Sequence, residues 1–153
     1  MHYSRIEHLV RQALSQELTG KKDSILPNAK LVVTNDGKKV SFDGATPDNK
    51  IIAMIKATGH PRGGNPPNLN VTKQGDLVRD TDLLMAAKKR YRAQHAILAL
   101  SEERTYKWFM GQTKSGNQRP IVFGQIAEER KGVEVRYIDL RKMLSRAKSQ
   151  SDR

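Results

Sequence analysis

Apolar residues recur at helical spacing near the start of the chain. They lie three or four positions apart, as on one face of an α-helix: Ile6, Val10, Ala13, Leu14 and Leu18. Ser4 can cap a helix at its first turn, and Gly20 follows the stripe as a stop signal. The pattern predicts a first helix over residues 4–18.

Two short apolar segments then flank a turn sequence. Residues 31–33 and 40–42 lie on either side of Asn35-Asp36-Gly37, which is typical of the tight turn in a β-hairpin. We therefore expect two antiparallel strands.

Residues 50–57 form a third, mostly apolar run that contains β-branched residues. Such a run is typical of a central strand buried on both faces. Because side chains alternate along a strand, two sets are expected on opposite faces: Ile51, Ala53 and Ile55 on one, and Ile52, Met54 and Lys56 on the other.

The second half of the chain opens with residues 58–70, where three glycines and three prolines predict a loop. The elements predicted after it are a basic helix over residues 80–92, strands over 96–100 and 106–110, a helical turn over 125–129, a strand over 133–138 and a basic helix over 140–148. On the predicted strand 106–110, Tyr106, Trp108 and Met110 share one face, which favours core packing. We expect one α/β domain over residues 1–148 and a frayed tail over 149–153.

The charge of the chain points to a polyanionic partner. Its 153 residues include 28 lysines and arginines against 16 acidic residues, which gives a net charge of +12. The absence of cysteine excludes disulfides and thiolate chemistry. No apolar stretch is long enough to span a membrane, and no signal-peptide pattern is present, so we expect a cytoplasmic protein without a membrane partner.

Two ionisable residues follow or end predicted strands. Asp43 precedes Gly44, whose missing side chain would let a ligand or another backbone approach closely. Lys56 ends the apolar third strand. Each also has an ordinary interpretation, Asp43 as a turn aspartate and Lys56 as an edge residue that extends its ammonium into solvent.

Together these segments resemble a known nuclease core. Val40-Ser41-Phe42-Asp43-Gly44, followed after a turn by Ile51-Ile52-Ala53-Met54-Ile55-Lys56, resembles the PD-(D/E)XK nuclease superfamily. In that family an aspartate ends one strand, and an acid and a lysine two residues apart lie on the next. The family order αβββαβ is similar to the predicted order from the first helix through residues 96–100. The resemblance implies a restriction-endonuclease-like core with a central mixed sheet flanked by helices.

The resemblance also implies a chemistry, which is metal-dependent endonuclease hydrolysis of DNA phosphodiester bonds. Carboxylates of the family hold Mg²⁺ or Mn²⁺, which polarises the phosphate and lowers the pKa of the attacking water. Asp43 would be a metal ligand, and Lys56 would position the water or stabilise the developing negative charge. Cutting both strands would call for a second copy of the chain, and thus a homodimer.

The sequence departs from the family at Met54, where an acid is expected. A thioether is a poor ligand for hard Mg²⁺, so either another carboxylate replaces it or the site is inactive. The candidate replacements are Glu7, Glu17 and Asp48. Glu7 lies on the first helix, where family members often supply a glutamate. Glu17 falls close to the centre of the apolar stripe, and Asp48 lies in a tight turn that favours a structural role.

Basic residues outside this motif are candidates for contacts to DNA phosphates. They lie in the predicted loop, on the second helix and after residue 110: His60, Arg62, Lys88, Lys89, Arg90, Arg92, Lys114 and Arg119. A solvated surface is the alternative for each group. Two further functions stay open: a catalytically inactive DNA-binding module of the same fold, and a basic RNA-binding protein in which Asp43 and Lys56 would not cluster.

Overall fold

The structure, a computed structural model, describes residues 3–56, 71–111 and 122–141. Within these ranges the chain is mixed α/β. Its elements in order are α1 (Tyr3–Thr19), β1 (Ala29–Val32), β2 (Lys39–Phe42), β3 (Gly44–Ala45), β4 (Ile51–Lys56), α2 (Val71–Tyr91), β5 (His95–Leu100), α3 (Glu103–Phe109), α4 (Phe123–Arg130) and β6 (Glu134–Tyr137).

The strands form two sheets. A four-stranded mixed sheet has the order β3-β4-β5-β6, in which β3 is antiparallel to β4 while β4, β5 and β6 are parallel. The predicted hairpin is present as an antiparallel pair of β1 and β2. The chain passes from the hairpin into the larger sheet at Asp43, between β2 and β3.

Helices pack on both faces of the mixed sheet, and the side chains of β4 alternate as predicted. Ile51, Ala53 and Ile55 join an apolar cluster with residues of α1, including Val10 and Leu14. On the opposite face, other β4 residues join a second cluster with α2, α3, α4 and the hairpin. The β4 members of that cluster are Ile52 and Met54. These two buried layers fix the position of β4, whose last residue is Lys56.

Helix α2 is longer than predicted, since it begins at Val71 rather than at residue 80. Leu77 is buried and lies seven residues before the buried Leu84, so the apolar face extends upstream of the predicted start. Gly75 and several polar residues conceal that extension in the sequence.

The prediction of a strand over residues 106–110 is wrong, because residues 103–109 form α3. Glu102 caps this helix by accepting a hydrogen bond from the Thr105 backbone nitrogen. The buried residues Thr105 and Phe109 lie four apart, at helical spacing. The apolar residues of a segment this short fit both the spacing of a strand and that of a helix, and the hydrogen bond from the cap favours the helix.

The C-terminal strand is confirmed as β6, and the helical turn predicted over residues 125–129 lies within the longer α4. Leu140 and Arg141 are helical, whereas the rest of the predicted C-terminal helix, the loop 58–70 and the tail 149–153 lie outside the described residues. No helix in the described ranges combines the length and the apolar character that crossing a membrane requires.

Candidate functional site

Asp43 lies where the chain changes sheets, and its side chain is fixed against β4. Its Oδ2 accepts a hydrogen bond of 2.7 Å from the Ile55 backbone nitrogen. Strand β3 pairs Gly44 with Ala53, so the same register continued by one residue would place Asp43 opposite Met54. The carboxylate therefore lies at the edge of β4 just beyond the two residues that pair with β3.

Helix α1 contributes a second carboxylate, that of Glu7, beside Asp43. Arg11 donates to the Asp43 carbonyl oxygen at 2.9 Å and to Glu7 Oε1 at 2.9 Å. Partial burial raises the pKa of Glu7 above its ordinary value, and repulsion from the Asp43 carboxylate raises it further, while Arg11 opposes both effects. Arg11 thus links Glu7 to the backbone of Asp43, and the Asp43 carboxylate repels that of Glu7.

Helix α2 contributes a third carboxylate, which sequence reasoning missed. Lys56 Nζ lies 2.7 Å from Asp80 Oδ2, and the Asp80 side chain is only 10% exposed. Burial raises the pKa of Asp80, the Lys56 ammonium lowers it, and the Asp43 and Asp76 carboxylates raise it. Among the described residues, none completes a well-formed hydrogen bond to this buried oxygen, so the ion pair with Lys56 is its main compensation.

We call these four residues, Glu7, Asp43, Lys56 and Asp80, the carboxylate–lysine cluster. They come from α1, the β2–β3 junction, β4 and α2. Because β3 is only two residues long, no strand among the described residues pairs with the edge of β4 beside Asp43, and Glu7 of α1 and Asp80 of α2 both interact with the Asp43 carboxylate. The assignment of Asp43, Lys56 and Glu7 to one catalytic site stays a prediction; the structure gives the contacts of Lys56 with Asp80 and of Arg11 with Glu7 and Asp43.

The signal for Asp80 is present in the sequence but depends on the limits of α2. With the helix beginning at Val71, Asp80 lies three residues after Leu77 and four before Leu84, and both leucines are buried. An acidic residue on the apolar face of a helix is unusual and requires a partner. The sequence pattern places the start of the helix at Asp80 itself, where an acidic residue is ordinary.

Met54 occupies the position of the expected acid and is part of the core. It is 5% exposed and packs in the apolar cluster on the α2 side of the sheet, which is the side of Lys56. No group of three or more histidine, cysteine or acidic side chains in the described residues is arranged to hold one metal ion.

The other two candidate replacements have contacts elsewhere. Glu17 is 57% exposed and pairs at 2.7 Å with Arg136 of β6. Asp48 accepts hydrogen bonds from the Thr46 hydroxyl at 2.7 Å and from the Lys50 backbone nitrogen at 3.1 Å, which are the contacts of a turn residue.

The predicted DNA-contacting residues differ in their surroundings. Lys88 donates to the Gly132 carbonyl at 2.9 Å and so joins α2 to the segment before β6. Lys89, Arg90 and Arg92 are exposed at the end of α2. The remaining four lie outside the described residues: His60, Arg62, Lys114 and Arg119.

A comparison of the chain with known proteins gives no relative, because no protein-family model, curated protein or solved structure matches it.

Proposed function

We propose that this chain is a Mg²⁺- or Mn²⁺-dependent endonuclease of restriction-endonuclease-like fold, which hydrolyses DNA phosphodiester bonds at the carboxylate–lysine cluster. The observation that supports this most is the ion pair of 2.7 Å between Lys56 and Asp80, at a place where the Asp43 carboxylate also acts on Asp80. The order of α1, the hairpin, β4, α2 and β5 is compatible with the fold that the resemblance implies.

The cluster offers the ligand type that a hard cation requires. Glu7, Asp43 and Asp80 present carboxylate oxygens, which Mg²⁺ and Mn²⁺ prefer. Burial is the main cause of the raised pKa of Glu7 and of Asp80, and repulsion from Asp43 adds to both; a cation near these groups would relieve that repulsion. A divalent ion bound there would supply polarisation of the scissile phosphate.

Lys56 and its partner would supply the rest of the chemistry. The Lys56 side chain is 28% exposed, so its ammonium can be reached from solvent, while Asp80 restrains it from the buried side. A restrained ammonium at this position would contact a phosphate oxygen and stabilise the charge that develops during hydrolysis. Asp80 would then act in substrate hydrolysis by positioning Lys56, in addition to offering an oxygen ligand.

A catalytically inactive DNA-binding module of the same fold is the second candidate. It is favoured by the buried, apolar Met54 at the position of the motif acid. The third candidate, a basic RNA-binding protein, predicts no convergence of Asp43 with Lys56. Asp80 forms an ion pair with Lys56 and is repelled by the Asp43 carboxylate, and both interactions favour the first two candidates.

Cleavage of supercoiled plasmid tests the proposal. The wild-type chain should produce nicked circles in Mg²⁺ or Mn²⁺ and none in EDTA, and Lys56→Ala should abolish this activity. Lys107→Ala is the matched control, because Lys107 is an exposed lysine paired with Glu103 on α3. A linear product whose share rises with protein concentration would support action as a homodimer. Plasmid that is retarded on a gel but never cut in either metal would favour the inactive module.

A further inference from the structure

The β1–β2 hairpin has one apolar face and one basic face. Leu31 and Phe42 are buried against the α2 side of the sheet. The side chains that alternate with them face outward, and Lys30 and Lys39 are exposed there. Lys30 pairs with Ser41, and Lys39 lies two residues before Ser41 on the same strand, so the two lysines are diagonal neighbours on one surface.

A hydrogen bond joins the hairpin to the basic end of α2. The Tyr91 hydroxyl, at the last residue of α2, accepts a hydrogen bond of 3.0 Å from the Val32 backbone nitrogen of β1. Val32 pairs with Lys39. This bond brings the last residue of α2 to the end of the hairpin that carries Lys39, and the exposed Lys89, Arg90 and Arg92 lie within two residues of Tyr91 along the chain.

None of these five cations forms an ion pair with a described residue. Other lysines and arginines are paired with carboxylates, namely Arg11, Lys56, Lys107, Lys131, Arg136 and Arg141, while exposed lysines such as Lys21 and Lys22 also form no ion pair with a described residue. Cations at the C-terminal end of α2 also interact favourably with the helix dipole, which could by itself account for their position. Lys30 and Lys39 lie on strands, where no helix dipole acts.

We propose that the outer face of the hairpin and the end of α2 form a track that binds the phosphate backbone of DNA and leads it to the carboxylate–lysine cluster. The cations of this phosphate track are Lys30, Lys39, Lys89, Arg90 and Arg92. One end of the track adjoins the cluster, because Phe42 of the hairpin directly precedes Asp43. Lys39, four residues before Asp43, lies about 13 Å along the strand from it, at the usual rise per residue.

The inference rests on the proposed function in taking DNA as the ligand and the carboxylate–lysine cluster as the place to which the track leads. Lysines on short strands also discourage edge-to-edge pairing with other molecules, and a binding measurement separates the two roles. Removing a cation that binds a phosphate should make the affinity fall less steeply as the salt concentration rises.

The test is fluorescence anisotropy of a short labelled DNA duplex in EDTA, over a series of salt concentrations. Lys30→Gln with Lys39→Gln should weaken binding at low salt and reduce the slope of log affinity against log salt by about 1–2. Lys21→Gln with Lys22→Gln is the matched control, because these exposed lysines follow α1, which packs on the other face of the sheet. An unchanged slope in the hairpin variant, or equal losses of affinity in both variants, would overturn the inference.

Because EDTA prevents metal-dependent cleavage, this outcome is independent of nuclease activity. A hairpin variant with a reduced slope, together with wild-type protein that cuts no plasmid, would sustain the phosphate track and reject the nuclease. Competition by an RNA duplex of equal length that exceeds competition by DNA would overturn the assignment of DNA as the ligand.

Discussion

Lys56 Nζ and Asp80 Oδ2 lie 2.7 Å apart, which joins the last residue of β4 to the inward face of α2. A buried carboxylate without its cation would be strongly destabilising, so this pair accounts for the presence of an acid between Leu77 and Leu84. It also brings a carboxylate to the face of β4 on which Met54 lies.

Replacement of Met54 by glutamate should create the missing acid at a cost in stability. Met54 is 5% exposed, so a carboxylate there loses hydration, on the face of β4 that also carries Lys56 and its partner Asp80. We expect Met54→Glu to melt at a lower temperature than wild type in EDTA, to recover part of the difference in millimolar Mn²⁺, and to cleave plasmid faster.

The matched control is Met54→Leu, which retains the volume and should cost less than about 1.5 kcal/mol with no response to Mn²⁺ beyond that of wild type. Thermal melts with and without metal, followed by plasmid cleavage, check both variants. A Met54→Glu protein that folds and gains neither metal response nor cleavage would speak against a metal site beside β4.

Stability should depend on pH through Glu7. Its pKa is raised in the folded state, so the folded protein binds this proton more tightly than the unfolded chain does. The contribution to stability is therefore fully present below the unfolded value near 4.5 and is lost as pH rises through the folded pKa. In EDTA, Glu7→Gln should melt higher than wild type at pH 7, and the difference should shrink towards pH 4.

Glu17→Gln serves as the control for this comparison, since it removes an exposed ion pair with Arg136 and should change stability by less than about 1 kcal/mol. If Glu7→Gln is less stable than wild type at pH 7, the ion pair with Arg11 outweighs the burial of Glu7 and its repulsion from Asp43.

The junction that holds Asp43 should be sensitive to packing at Gly44. A Cβ at Gly44 would lie 2.6 Å from Cγ2 of the buried Ile25, so Gly44→Ala should destabilise the fold by about 1–3 kcal/mol. Gly75→Ala, in the exposed part of α2 where a Cβ meets nothing within 4 Å, should stabilise it by about 0.5–1 kcal/mol. Urea unfolding measures both, and equal effects would contradict the packing described for β3.

Much of this arrangement could be predicted from the sequence because it follows from periodicity. The alternation along β4 identifies the faces of Met54 and Lys56, and Asn35-Asp36-Gly37 identifies the hairpin. The proximity of Glu7 to Asp43 is expected from the family resemblance rather than from a pattern of residues.

The remainder depends on tertiary contacts that a pattern does not encode. Asp80 belongs to the cluster because α2 begins at Val71, and Gly75 hides that start from propensity arguments. The segment around Trp108 alternates like a strand, yet the Glu102 cap and the packing of Trp108 against Phe123 make it a helix.

The most direct test is plasmid cleavage in Mg²⁺ and Mn²⁺ by wild type, Asp80→Asn and Asp82→Asn. Both changes replace an aspartate of α2 by its amide, but Asp82 is 58% exposed and pairs with Lys131 outside the cluster. We predict metal-dependent cleavage by wild type and Asp82→Asn, and a reduction of about 10- to 100-fold in Asp80→Asn. Equal cleavage by all three proteins, or none by a folded wild type in either metal, would contradict a nuclease site at the carboxylate–lysine cluster.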